Sequence, residues 1–165
     1  MPKVSIRYQR VADAERFFEI LNNPRFIYWR TVPKTLDDER KWLEENSQRR
    51  KKNIAWNLSV LYGGKVVGGC GIMINQHRKY IGEIGYFIDE LYWNKGIATK
   101  AVRLVEKVGF KKLGLTRIEI LMQTKNRASE KVAIKCGYKK EGLMRKAFLG
   151  RDGRKKDMLL YAKVL

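Results

Sequence analysis

Asn94, Lys95, Gly96, Ile97, Ala98 and Thr99 stand between an alternating apolar run, Glu83 to Ile88, and a stretch of clear helical period. Strand, loop and helix start in that order bring backbone N–H groups to the positive end of a helix dipole, where the helix offers them no acceptor. That is the chemistry of an anion cradle, and a pyrophosphate suits it. Gly96 has no Cβ, so the backbone there can approach a phosphate or adopt a positive φ, and Ala98 keeps the first turn uncrowded. The plainer reading of the same letters is a turn before an ordinary helix. The short pattern alone does not choose between them.

Other reactive side chains offer less. Cys70 and Cys136 are far apart, with no C-x-x-C pair, and His77 is the only histidine. No metal site is expected from that set. Both cysteines lie among apolar residues and read as buried thiols. His77 lies in the polar stretch Asn75 to Lys79 and reads as a loop residue, with nothing beside it to build a triad.

The elements that must position the loop follow from periodicity. Val4, Ile6 and Tyr8 alternate as a first strand, and Phe17, Ile20 and Leu21 share a helical face beginning near Ala12. After an aromatic loop (Phe26, Tyr28, Trp29), Thr35 with Asp38 three residues on marks the start of a helix from Leu36 to Asn46. Ile54 to Tyr62 and Lys65 to Ile74 flank Gly63 and Gly64 as a hairpin. Glycines 68, 69 and 71 fall inside its second arm and make no dinucleotide loop. Downstream of the loop, Ala98, Ala101, Val105 and Val108 line one helical face, and Arg117 to Met122 reads as a strand. Asn126 caps a short helix that stops at Gly137, and strands around Leu143 to Phe148 and Met158 to Val164 flank a turn at Gly150 to Gly153. The expectation is one mixed α/β domain over residues 1–165, rich in antiparallel hairpins, with a single strand–helix–strand unit in the middle.

A formal charge of +19 and a pI near 10.1 point to anionic partners: a phosphorylated cofactor, RNA, a ribosome or an acidic surface. Lys and Arg are spread widely, densest at Arg49 to Lys52 and Arg154 to Lys156, so part of the excess is solvated surface. The N-terminus lacks an apolar leader core, and the longest uncharged apolar stretch, Val66 to Gln76, is too short to span a bilayer. A cytoplasmic location without membrane contact is expected.

This order of elements, with the loop WNKGIA, resembles the GNAT superfamily of acetyl-CoA-dependent N-acetyltransferases, whose cofactor loop reads Q/R-x-x-G-x-G/A. Gly96 and Ala98 fill its small positions, and Trp93 stands where Gln or Arg is usual. The same departure is common in the RimJ/RimL-like branch, the ribosomal-protein N-terminal acetyltransferases. NRASEKVAIKCGYKKEG also resembles that branch, through its N-x-x-S helix ending in Gly and an aromatic. The resemblance implies a mostly antiparallel sheet of six to seven strands flanked by about four helices.

It further implies that the amides of Asn94, Lys95, Gly96, Ile97, Ala98 and Thr99 hold the CoA pyrophosphate, and that Phe87 and Ile88 pair through their backbone with the pantetheine arm. Asn126 and Ser129 would approach that arm or the thiol from the other side. Phe87 can equally be core, and Asn126 a helix cap. Glu83 is the implied base, acting through water, against the reading of a solvent-exposed strand glutamate. The family's usual acid, a Tyr four residues before the helix-ending glycine, is replaced by Ala133, which leaves Ser129 as the substitute.

An α-amine is ~14% neutral at pH 7 and a lysine ~0.04%, a gap of roughly 3.5 kcal/mol. Modest acid and base groups therefore favour a protein N-terminus, such as that of a ribosomal protein, as acceptor. Small-molecule amines (polyamine, amino acid, antibiotic), with an acidic pocket from Asp37, Asp38, Glu44 or Glu45, are the alternative, as are an inactive CoA-binding fold and a basic RNA-binding module. Acceptor contact would fall to Tyr28 and Trp29, read equally as core aromatics, to the following helix and to the Gly150 to Gly153 turn. The sequence leaves the oligomeric state open.

Overall fold

Gly63 and Gly64 both adopt positive φ, 58° and 81°, and turn β2 (Ala55–Tyr62) back into β3 (Lys65–Ile74). That hairpin is the centre from which the sheet grows. The computed structural model describes residues 1–29 and 31–165. β1 (Val4–Tyr8) adds to one side of the hairpin and β4 (Ile81–Ile88) to the other. β5 (Arg117–Gln123), β6 (Lys139–Leu149) and β7 (Lys155–Val164) complete seven strands in the order β1-β2-β3-β4-β5-β7-β6. Every neighbouring pair is antiparallel except β4 with β5.

The parallel pair is joined by α4 (Ile97–Lys107), which continues through a π turn, Val108–Lys112. Ile97, Ala101, Val102 and Val105 are all buried, and pack with Ile72, Ile84, Ile118 and Ile120 of the sheet. Burial of each larger aliphatic contributes about 1.5–3 kcal/mol, so this stripe fixes the helix start against the end of β4. α1 (Ala14–Leu21) and α2 (Leu36–Glu44) cover the opposite face, where Phe17, Ile20, Leu21, Phe26 and Leu43 enclose Phe87. α5 (Arg127–Lys135) follows β5. Among the described residues, no helix is long and apolar enough to cross a membrane.

β7 begins three residues before the expected Met158, and two larger departures from the periodicity have a physical cause. The helix expected from Leu36 to Asn46 is broken at Glu45 (ψ −8°), and α3 (Asn46–Lys51) begins there. The cause is polar. Asn46 is 2% exposed, its Nδ2 donates to Gln9 Oε1 at 2.9 Å, and its Oδ1 accepts from Asn57 Nδ2 at 2.9 Å. β6 is longer than the Leu143 to Phe148 reading because its pairing with β7 persists through two register shifts, which destroy the alternation that periodicity relies on.

One buried carboxylate anchors β1 to the helical layer. Asp13 (5% exposed) accepts both Arg7 guanidinium nitrogens at 2.8 Å, the Ser59 hydroxyl at 2.7 Å and the Arg10 amide at 2.9 Å. Burial raises the Asp13 pKa, but Arg7, the Arg10 amide and Ser59 outweigh it and leave the group below the usual carboxylate range. A depressed pKa contributes stability that is fully present above the unfolded value and is lost as pH falls through the folded one. Asp13→Asn, which strands Arg7, should cost about 3 kcal/mol in urea unfolding at pH 7. The gap to wild type should close as pH falls through that depressed pKa.

Candidate active site

β4 and β5 pair only where Ile81 to Glu83 face Arg117 to Glu119. Beyond that point β4 stays with β3 as far as Ile88 opposite Gly68, while β5 stays with β7 as far as Gln123 opposite Met158. The two strands therefore part after Glu83, leaving a gap in the sheet. The Asp89 N–H donates to the Val67 carbonyl at 2.8 Å, which makes 67 and 89 a hydrogen-bonded pair. By alternation Phe87 with Gly69 and Gly85 with Gly71 are bonded pairs as well, so the main-chain groups of Ile84, Tyr86 and Ile88 face the β5 side.

This corrects one expectation. The Phe87 main chain points to β3 and away from the gap, because its register places it in a bonded pair. Its ring lies 5.5 Å from Phe17 and 5.0 Å from Trp29 in the aromatic cluster. Ile88 does face the gap, and its carbonyl accepts from Trp93 Nε1 at 2.7 Å. The tryptophan at the departing motif position thus pins the loop to the strand end.

Asp89 fixes the turn that follows. It pairs with Arg16 of α1, and its Oδ1 accepts the Leu91 amide at 3.1 Å. The chain then reverses through Asn94 (φ 60°) and Gly96 (φ 72°), the latter in the left-handed region that favours glycine. Gly96 is the N-cap of α4, and a Cβ built on it would meet no atom within 4 Å, so the space in front of the cap is open. The first helical bond runs from Lys100 N–H to the Gly96 carbonyl at 3.1 Å. The Ile97, Ala98 and Thr99 amides precede it and have no helical acceptor. Lys95 adds a cation, held 5.1 Å from the centre of the Tyr92 ring.

Across the gap, α5 starts at Asn126, whose Oδ1 accepts the Ser129 amide at 3.2 Å. Ser129 Oγ lies 2.7 Å from the Tyr86 hydroxyl, which also reaches the Ser129 carbonyl at 3.3 Å. Tyr86 was not among the residues singled out from sequence. The available signal was its place on the same strand face as Ile84 and Ile88, since a tyrosine among buried aliphatics must find a partner for its hydroxyl. Burial pushes the Tyr86 pKa up to about 12, with Ser129 opposing and Cys136 adding, so the phenol stays protonated near neutral pH. Ala133 is fully buried at the position where the usual tyrosine acid would stand.

Glu83 projects from the other face of β4, with Gly85 and Phe87. The two glycines on that face differ: Gly71 is covered by Asn57, whose Oδ1 would lie 2.6 Å from an added Cβ, whereas one on Gly85 would meet only Trp29, at 3.7 Å. Trp29 and Tyr28 are half-buried, and the Tyr28 hydroxyl donates to the Lys125 carbonyl at 3.2 Å, tying the aromatic loop to the approach to α5. Asp37, Asp38, Glu44 and Glu45 do not form an acidic pocket. All four are exposed, with Asp37 on Lys41 and Glu45 on Arg49, and Asp38 completes the α2 capping box with Thr35. The acid that α2 turns inward is Glu39, whose carboxyl burial raises in pKa.

Both cysteines are buried, as expected, and burial raises both thiols. His77 lies exposed in its loop. Among the described residues, no group of three His, Cys, Asp or Glu side chains could hold a metal ion.

Residues 3–139 match the acetyltransferase (GNAT) domain family. The chain belongs to this family. It is 31% identical over 116 residues to YoaA, an uncharacterized N-acetyltransferase of Bacillus subtilis, a match that covers 69% of this chain and 64% of that protein, just under two thirds of its length. It is 26% identical over 166 residues to the L-amino acid N-acetyltransferase AaaT of Escherichia coli, covering 99% of each. The ribosomal-protein-S5-alanine acetyltransferase of Vibrio fischeri has a similar structure, with a TM-score of 0.88, 24% identity and coverage of 99% of this chain and 94% of that one. The mostly antiparallel GNAT sheet of six to seven strands expected from the sequence is thus present, with seven.

The site also fits the acetyl-CoA that GNAT enzymes use. An open glycine cap can take a pyrophosphate, and the parted strand edge can take the amides of a pantetheine arm. Gly96→Asp, with a carboxylate and a strained φ inside the cap, should weaken acetyl-CoA binding at least 100-fold by calorimetry and lower Tm only a few degrees.

Proposed function

We propose that the protein is an acetyl-CoA-dependent N-acetyltransferase acting on an α-amine, the N-terminus of a protein such as a ribosomal protein. The observation that carries this reading is the gap between β4 and β5, with an open helix cap at one end and Glu83 and Ser129 on opposite sides. Bound acetyl-CoA supplies an activated acetyl carbonyl and a thiol leaving group. The amides of residues 94–99 hold its pyrophosphate, and the main chains of Tyr86 and Ile88 take the pantetheine amides.

Glu83 removes the proton that the acceptor nitrogen sheds as it attacks, directly or through one water. Ser129, from the opposite side, donates a hydrogen bond to the sulfur, which departs as the thiolate and takes a proton from solvent to end as the CoA thiol, while Glu83 returns the amine proton to solvent. Asn126 holds the turn on which Ser129 sits. Tyr28 and Trp29 border the acceptor side, where Gly85 adds no side chain of its own beneath Trp29. Neither carboxylate nor serine needs to overcome the large deprotonation cost of a lysine, which favours an α-amine. The L-amino acid and ribosomal-protein-alanine acetyltransferases to which the chain is similar are compatible with that choice. The surplus of +19 would aid docking on a phosphate-rich ribosome, and suits a cytoplasmic enzyme.

A panel of peptides covering the N-terminal residues, with blocked N-termini, free amino acids and spermidine as controls, should accept label from radiolabelled acetyl-CoA only at free α-amines. Glu83→Gln should lower kcat about 100-fold. Labelling of spermidine or of internal lysines in blocked peptides would contradict the acceptor assignment. Thermal stabilisation by RNA but not by acetyl-CoA would contradict the enzyme itself.

A further inference from the structure

The Tyr86 hydroxyl and Ser129 Oγ stand 2.7 Å apart, and the proton order in that contact follows from acidity. A phenol is a stronger acid than an aliphatic alcohol, and Tyr86, held protonated by burial, has one hydrogen to give. Its alternative acceptor, the Ser129 carbonyl, is longer at 3.3 Å. Acidity and the shorter distance favour Tyr86 as donor to Ser129 Oγ, and in that order the serine's own hydrogen is left for an acceptor elsewhere. The main-chain groups of Tyr86 face the gap between β4 and β5, and Ser129 lies in the first turn of α5, beside that gap.

We propose that Tyr86 is a positioning residue that aims the Ser129 hydroxyl hydrogen at the coenzyme sulfur; this rests on the assignment of the gap to acetyl-CoA. Tyr86 gives up no proton in the reaction. Its hydrogen bond stops the Ser129 rotor from turning its hydrogen back, and polarises that hydroxyl so that it binds a negative sulfur better. The arrangement does for this chain what a tyrosine at position 133 would otherwise do, from a strand in place of a helix. Removal of either hydroxyl should then have the same consequence, because one acts only through the other.

The measurement is the thiol pKa of bound CoA, followed by thiolate ultraviolet absorbance across a pH titration of wild type, Tyr86→Phe, Ser129→Ala and the double variant. A hydrogen bond to the charged form lowers a pKa, so each single variant should raise that of the bound thiol by about one unit, and the double variant by no more. Steady-state kinetics with the best peptide acceptor should agree: kcat down about tenfold in all three variants, with the KM for acetyl-CoA within about twofold. Tyr86→Phe keeps the ring, and Tyr86→Leu serves as a packing control that should lower Tm as well. If CoA binds and Tyr86→Phe leaves its thiol pKa unmoved, or the two single effects add, the proposal is overturned while the acetyltransferase reading stands. If CoA does not bind wild type, both fall together.

Discussion

Backbone hydrogen bonding within a sheet is obligatory, and the place where this sheet breaks that rule organises everything else. β4 leaves β5 after three paired residues, so Tyr86 presents a main-chain donor and acceptor, and Ile88 a donor, on an edge in the middle of the sheet, where an ordinary edge would be an invitation to aggregate. The α4 stripe of Ile97, Ala101, Val102 and Val105 holds the next unsatisfied donors, those of the helix start, at the end of the same edge. Trp93 and Asp89 secure the connection between them. A ligand with amides along its length and phosphate at its end would satisfy both sets at once.

The two faces of β4 divide the chemistry. Odd residues carry Glu83 and Gly85 towards α1 and α2, while even residues carry Tyr86 towards α5. The period of two in a strand thus places Glu83, the proposed proton acceptor, and the hydroxyls of Tyr86 and Ser129 on opposite sides without any special device.

The sequence made the strand, the Gly96 turn and the helix start legible because they are local: each signal lies within about two turns of the next. Asn126, as a cap, was legible for the same reason. The direction of the Phe87 main chain was not, because it depends on register with β3, eighteen residues upstream at Gly69. Tyr86 was missed because its partner, Ser129, is brought near by topology alone. The break at Glu45 and the length of β6 follow from polar contacts and bulges that leave no periodic trace. The acidic residues of α2 were read as a group, yet capping and helical phase send Asp37 and Asp38 outward and only Glu39 in.

The central claim is that unpaired main-chain groups on the parted edge and at the α4 cap exist to hold acetyl-CoA. Amide hydrogen exchange of the whole protein, with and without saturating acetyl-CoA, tests it residue by residue. The account predicts new protection at Tyr86, Ile88 and Ile97 to Thr99, with the Phe87 amide, already bonded to β3, much less affected. Protection confined to the basic surface, or unchanged exchange at 86, 88 and 97–99 in a protein that binds the coenzyme, would contradict it.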